Sequence, residues 1–499
     1  MSNPIQPLAK RDFDYAAAQH LLNRAGFGGT PAQVRALVEL GVEDAVDYLV
    51  DFKGEAAAAT VDAHANDFRA NVMRPETPEE RETLRRARAD GDEETILRLQ
   101  RERQARERDD RAQLASMQRW WLARMIATGR PLEEKLTLFW HGHFATGYRT
   151  IENSWHMMRQ NAMLRTHAAG NFADLVRGVI RDPAMLKYLD NDENRRRSPN
   201  ENLARELMEL FTLGEGNGYS EQDIKEGARA LTGMTYRGNE FYFNAQEHDS
   251  TPKTILGRTG NFSGDEFVSI LLEQPACPRF IVSKLYRFFV NDAPTLPKDA
   301  GAAIERLARE FRARRYELRP ILRLLFRSQH FYAPENRLSV VKSPVQLVVQ
   351  SIRSLGTPTR EMSALVQAGD LMGQQLFQPP SVKGWDGGRS WINTATMFVR
   401  QNLLVYLVTG RRPAAFEWDP SEMAYDCSSL LAHVRDANGA IDPHDAVRGL
   451  ASFALGGTPA PERIAELDEF LGSLGGTVTE DRVKAMLCLI GAMPEFQLC

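Results

Sequence analysis

Apolar residues recur at intervals of three and four along most of this chain, a spacing that admits helices and excludes most sheet folds. Leu114, Met117, Trp121 and Met125 follow it, as do Leu203, Leu207, Leu210 and Phe211. At about 100° per residue each set forms one stripe along a helix. Further helices are expected over Phe280 to Val290, Pro320 to Phe326, Pro344 to Leu355 and Met397 to Val408. Strand signals are sparse. The best is Glu240 to Asn244, which follows Arg237-Gly238-Asn239 and can pair with Met234 to Tyr236. The expectation is an all-α, large multi-helix assembly with a minor β-hairpin near 234–245. Five stretches are distinguished: an N-terminal helical segment (1–75), a charged helical arm leading into the core (76–127), a motif-bearing helical core with the hairpin (128–263), a second helical region with a Trp/Pro/Gly loop (264–410) and a C-terminal helical segment (411–499).

Composition narrows the class of partner. With 62 Lys+Arg against 66 Asp+Glu in 499 residues, the chain lacks the basic excess on which phosphate-neutralising nucleic-acid binders rely, and leaves room only for a localised basic groove. Four cysteines stand far apart with no CxxC pair, which points to a reducing compartment. Met1 to Asp14 lacks the apolar stretch of a signal peptide, and no window approaches a membrane span. A cytoplasmic protein without membrane contact is expected. Residues 79–111 hold 21 charged side chains in 33 positions, ten Arg and eleven Asp/Glu. Glu82/Arg86, Glu94/Arg98, Glu102/Arg106 and Glu107/Arg111 have the i,i+4 spacing that supports an exposed helix broken near Gly91. This arm is a solvated surface or a docking site for a protein partner.

Four constellations carry chemistry-bearing side chains. In Phe139-Trp-His-Gly-His-Phe144, His141 and His143 lie about 200° apart on a regular helix and could share a metal only if it unwinds at Gly142. Otherwise one packs among the aromatic residues and the other caps the helix. On the helix Ser198 to Gly214, Glu206 falls at the margin of the apolar stripe with Glu209 one turn on. A carboxylate there needs a metal, a substrate or an arginine. The loop Glu247 to Lys253 carries His248, Asp249 and Lys253, a composition shared by loop-borne sites and exposed turns. The segment Gln374 to Asn393 holds Trp385 and Trp391 with Asp386 and Arg389, either lids on the core or stacking faces for a ligand. His20, His64, His330, His433 and His444 stand alone and read as surface or capping residues. Gly26-x-Gly28 lacks the preceding strand and third glycine of a dinucleotide loop.

Together these motifs resemble the bacterial family known as domain of unknown function 1800. The residues that carry the resemblance are Leu21-Leu-Asn-Arg-Ala-Gly-Phe-Gly28, Phe139 to Phe144, Asp182-Pro-Ala-Met185, Asn200 to Gly214, His248-Asp249, Lys342-Ser-Pro-Val345 and Pro379 to Trp385. The resemblance implies a mostly helical fold and no agreed activity, with a partner resembling secreted sulfatases. The functional expectation is a metal-dependent enzyme, hydrolytic or oxidative, with iron, manganese or zinc held by His141, His143, Glu206, His248 and Asp249, and with Glu209 and Lys253 moving protons. Two alternatives stand beside it. One is a non-catalytic helical interaction protein; the other is a metal-free small-ligand enzyme or binding protein using Trp385, Arg389 and Asp249 around a small-molecule or peptide substrate.

Overall fold

The computed structural model describes residues 4–57, 59–411 and 424–499. Residues 1–3 and 58 of the N-terminal segment, and 412–423 of the C-terminal segment, lie outside the described residues. Twenty-four α-helices and two small two-stranded antiparallel sheets make up the rest, as the apolar spacing predicts. One continuous body of buried side chains runs from Ile5 to Phe496 through all five stretches. At its centre lies the helix Pro131–His143, whose Leu132, Leu136 and Trp140 are fully buried.

The expected hairpin forms from Met234–Arg237 and Glu240–Phe243, in the register Met234↔Phe243 to Arg237↔Glu240, and Gly238 supplies the positive φ of its turn. A second hairpin, Lys253–Ile255 with Arg258–Gly260, was not expected. Its turn places Leu256 at φ 48° and Gly257 at φ 78°, and leucine gives no sequence signal for a left-handed conformation. The helix read over Ser198 to Gly214 is instead an α-helical turn, Asn202–Glu206, followed by a π-helix, Leu207–Thr212. The amide of Leu213 bonds the carbonyl of Met208, five residues back. The wider turn ends the 100° projection that put Glu206 and Glu209 on one face.

The charged arm is an αα-hairpin. Helices Pro78–Asp90 and Glu93–Ala127 meet at Gly91, with φ 69°. Of the four expected ion pairs only Glu82–Arg86 forms, at 2.7 Å. Arg98 turns to Glu102 at 2.9 Å and Arg103 takes Glu107 at 3.0 Å, because Arg98 has an acid, and Glu107 an arginine, one turn away on each side. Two of the histidines read as surface residues are buried: His20, against the carbonyl of Phe331, and His330, against the Tyr286 hydroxyl. No described helix is long and apolar enough to cross a membrane.

Candidate functional site

The helix Pro131–His143 stays helical through Gly142, so its two histidines point apart. His141 is 1% exposed and sits among Trp121, Phe377 and Trp385. Its Nε2 accepts the Phe377 amide at 3.1 Å, and burial pushes its pKa down to about 3. His143, 3% exposed, lies among Phe139, Phe144, Phe211 and Phe280. Its Nε2 faces the Phe211 carbonyl at 3.1 Å, and a carbonyl only accepts, so Nε2 carries the proton. Burial first, then the charge of Lys284, holds His143 well below the ordinary imidazole pKa. Both rings are neutral.

Two of the other expected ligands, Asp249 and His248, have protein partners. Asp249 pairs with Arg229 at 2.7 Å and accepts from Thr251. His248 Nδ1 meets the Thr232 carbonyl at 2.9 Å. Lys253 is buried and donates to the carbonyls of Asp249 and Thr251, so it fastens its loop rather than moving a proton. Glu209 lies 3.4 Å from Arg205, which also clamps Glu201 and Glu221. Glu206 is half-buried, and burial with the neighbouring Glu209 charge raises its pKa. Among the described residues no three His, Cys, Asp or Glu side chains are grouped to hold a metal ion. The set His141, His143, Glu206, His248 and Asp249 therefore does not fit iron, manganese or zinc: one imidazole lone pair is taken by a backbone amide and Asp249 by an arginine.

A different site assembles around His143. A cavity of about 500 Å³ is walled by one face of the same helix, at Lys135, Phe139, Gly142 and His143, a size typical of small-ligand sites. The helix Ala276–Phe289 adds Lys284, Arg287 and Phe288; the start of Pro344–Leu355 adds Lys342, Ser343 and Gln346. Trp385, Arg389 and Trp391 come from the Trp/Pro/Gly loop, which is seated on the histidine motif by contact between two glycines. A Cβ on Gly384, at φ 80°, would stand 2.1 Å from the Gly142 carbonyl oxygen. Gly384 is glycine because its backbone touches that carbonyl, whereas a Cβ on Gly142 would meet only the Trp385 ring, at 3.7 Å.

The wall is strongly cationic. Seven Lys/Arg side chains line it (Arg24, Lys135, Lys284, Arg287, Lys342, Lys383 and Arg389), against Asp292 and Asp386. Arg24 is spent on the carbonyls of Phe289, Val290 and Cys499, and Lys342 on that of Phe496 at 2.7 Å. Lys135 donates to Gln346 Oε1 with its ammonium 5.0 Å from the Phe27 ring centre. Lys383 pairs with Glu215 at 2.7 Å. Lys284 and Arg389 have no side-chain hydrogen bond or ion pair among the described residues. Burial is the main cause that pushes Lys135 down to about 7 and Lys284 and Lys342 down to about 8. Charge at Cys499 partly offsets this for Lys135 and Lys342 but not for Lys284, and an anion in the cavity would offset the remaining cost.

Trp385 and Arg389, named from sequence for a bound organic group, both line this cavity, and so does His143. Sequence reasoning missed Arg24, Lys135, Lys284 and Lys342, each a lone cation in its own segment. Arg24 and Lys342 do stand inside motifs that carry the family resemblance, which is the signal that singles them out.

Fold and site together define a large helical protein with a cationic cavity that opens to solvent. The family model described as protein of unknown function (DUF1800) matches residues 20–498, and the chain belongs to that family. No curated protein and no solved structure matches it.

Proposed function

We propose that this chain takes up a small organic anion with a planar or apolar body, the metal-free reading among those the sequence allowed. The observation that carries it is the excess of seven cationic over two acidic side chains on one cavity wall. Lys284 and Arg389 there lack any side-chain hydrogen-bond or ion-pair partner among the described residues. Phe139, Phe288, Trp385 and Trp391 give the ligand apolar and aromatic surface. The start of the helix Pro344–Leu355, with Ser343 and Lys342 on the wall, adds positive potential at the same end.

Phenyl phosphate is a suitable probe, because binding beside Trp385 and Trp391 changes indole fluorescence. Saturable binding is expected, weakened about tenfold by Lys284→Met, the loss of one charge-assisted hydrogen bond. Absence of binding at millimolar probe, or equal affinity in the variant, overturns the reading.

A further inference from the structure

We infer that the anion held in this cavity is an oxo acid, and that the Lys135 amine condenses with its ketone or aldehyde carbon to form an imine. The inference rests on the proposed anion site and adds to it a reaction and a class of substrate. Lys135 is buried on the helix Pro131–His143 and lines the cavity. The groups around its nitrogen place that nitrogen at the wall: Gln346, whose Oε1 accepts from it, and Phe288, whose ring centre lies 5.5 Å away, line the same cavity. The Gln346 carboxamide is held in one orientation, because its Nε2 donates to the Asn23 carbonyl at 3.2 Å and to Gln350 Oε1 at 2.7 Å. Its oxygen therefore faces Lys135 and takes one N–H.

A lysine buried for structural reasons alone is normally paired with an acid. No Asp or Glu pairs with Lys135 among the described residues; its neighbours are an amide oxygen, the Phe27 and Phe288 rings, and Arg24 on the same wall. A methionine would fill this space without burying an amine. Burial, with the Arg24 charge adding to it against the opposing charge at Cys499, brings Lys135 down to about 7, whereas burial brings Lys284 down only to about 8. At a pH between those values Lys135 is mostly free amine, while Lys284 is mostly charged and holds the carboxylate. The free amine is a nucleophile for the carbonyl of the bound anion. Its lone pair attacks the carbonyl carbon and the C=O π pair moves to oxygen. The carbinolamine then loses that oxygen as water, with the two protons that the amine nitrogen carried. C=N replaces C=O, and nothing is oxidised or reduced.

The test is incubation of the full chain with phenylpyruvate and sodium cyanoborohydride, which reduces an imine to a stable secondary amine, followed by peptide mapping in a mass spectrometer. At about pH 7.5, where about one exposed lysine in a thousand is neutral, alkylation of Lys135 is expected at least about tenfold ahead of any other lysine. Excess phenyl phosphate is expected to suppress the Lys135 adduct and leave the modification of surface lysines unchanged. The comparison is made within the wild-type chain and needs no variant to fold. If phenyl phosphate binds but Lys135 is modified no faster than the surface lysines, or the adduct forms on Lys284 instead, the imine inference is overturned while the anion reading stands. An adduct on Lys135 that excess phenyl phosphate leaves untouched overturns it too, because the amine then lies outside the anion site. If phenyl phosphate does not bind, the anion reading falls and the inference with it.

Discussion

The arm and the cavity use the same side chains to opposite ends. Along the arm hairpin arginine is plentiful, but many acids lie three or four residues away on the same helix, so Glu82–Arg86, Arg98–Glu102 and Arg103–Glu107 close locally in water. Around the cavity, Lys135, Lys284 and Lys342 arrive from three separate helices or their ends and meet only two aspartates. Local pairing makes charge cheap and screened, worth a few tenths of a kcal/mol per pair. Convergent charge without counter-charge is held only by the rest of the fold, and leaves a field for a ligand.

The comparison breaks most readily at the seat of the Trp loop. Gly384→Val puts a branched side chain into the Gly142 carbonyl at a left-handed backbone position. A loss of about 3 kcal/mol or more is expected in denaturant unfolding, together with loss of phenyl phosphate binding; a variant of wild-type stability would disprove the glycine–glycine contact. Next in size is charge reversal. Lys284→Glu should weaken the probe by about a hundredfold, whereas Arg98→Glu in the arm should leave it within about twofold, since Arg98 is exposed and its charge is screened by solvent. Equal effects at the two positions would erase the distinction.

The pH dependence separates the regions further. Lys135, Lys284 and Lys342 have folded-state values below the ordinary 10.5, down to about 7 for Lys135 and about 8 for the others. Between those values and 10.5 the unfolded chain binds more protons, so their burial penalty is fully present below about pH 7 and fades as pH rises toward 10.5. Probe affinity runs the other way, because only the protonated lysines attract the anion. It should fall between pH 7 and 9, and binding near pH 8 should take up protons, visible in calorimetry as a dependence of heat on buffer. A flat profile would mean that the lysines do not face the ligand. The smallest effect belongs to the arm: Arg103→Ala, which removes an exposed pair, should shift stability by only a few tenths of a kcal/mol.

The same contrast explains what the amino-acid order reveals. Helices, the Gly91 break and the 234–243 hairpin rest on neighbours in sequence, and all were legible. The cavity rests on non-neighbours. Trp385 and Arg389 stood out because a loop with two tryptophans and adjacent prolines is unusual, but Lys135 looks like any helical lysine and Lys284 like a solvated one. The expected metal ligands are not brought together, for definite reasons: the helix stays helical at Gly142, the π-turn after Glu206 moves the carboxylate face, and Arg229 pairs with Asp249. His143, singled out from sequence, lines the cavity. Its surroundings, with one nitrogen tied to a carbonyl and the other left open, are invisible until Phe211 is placed beside it.

The glycine contact also bears on how the molecule reaches its working form. Gly142 and Gly384 are about 240 positions apart in the chain, so the cavity is a long loop closure and not a product of local collapse. The histidine motif can be helical early, but its ligand-facing wall exists only once the second half of the chain has folded and docked. A fragment bearing either motif alone would lack the other motif's wall of the cavity.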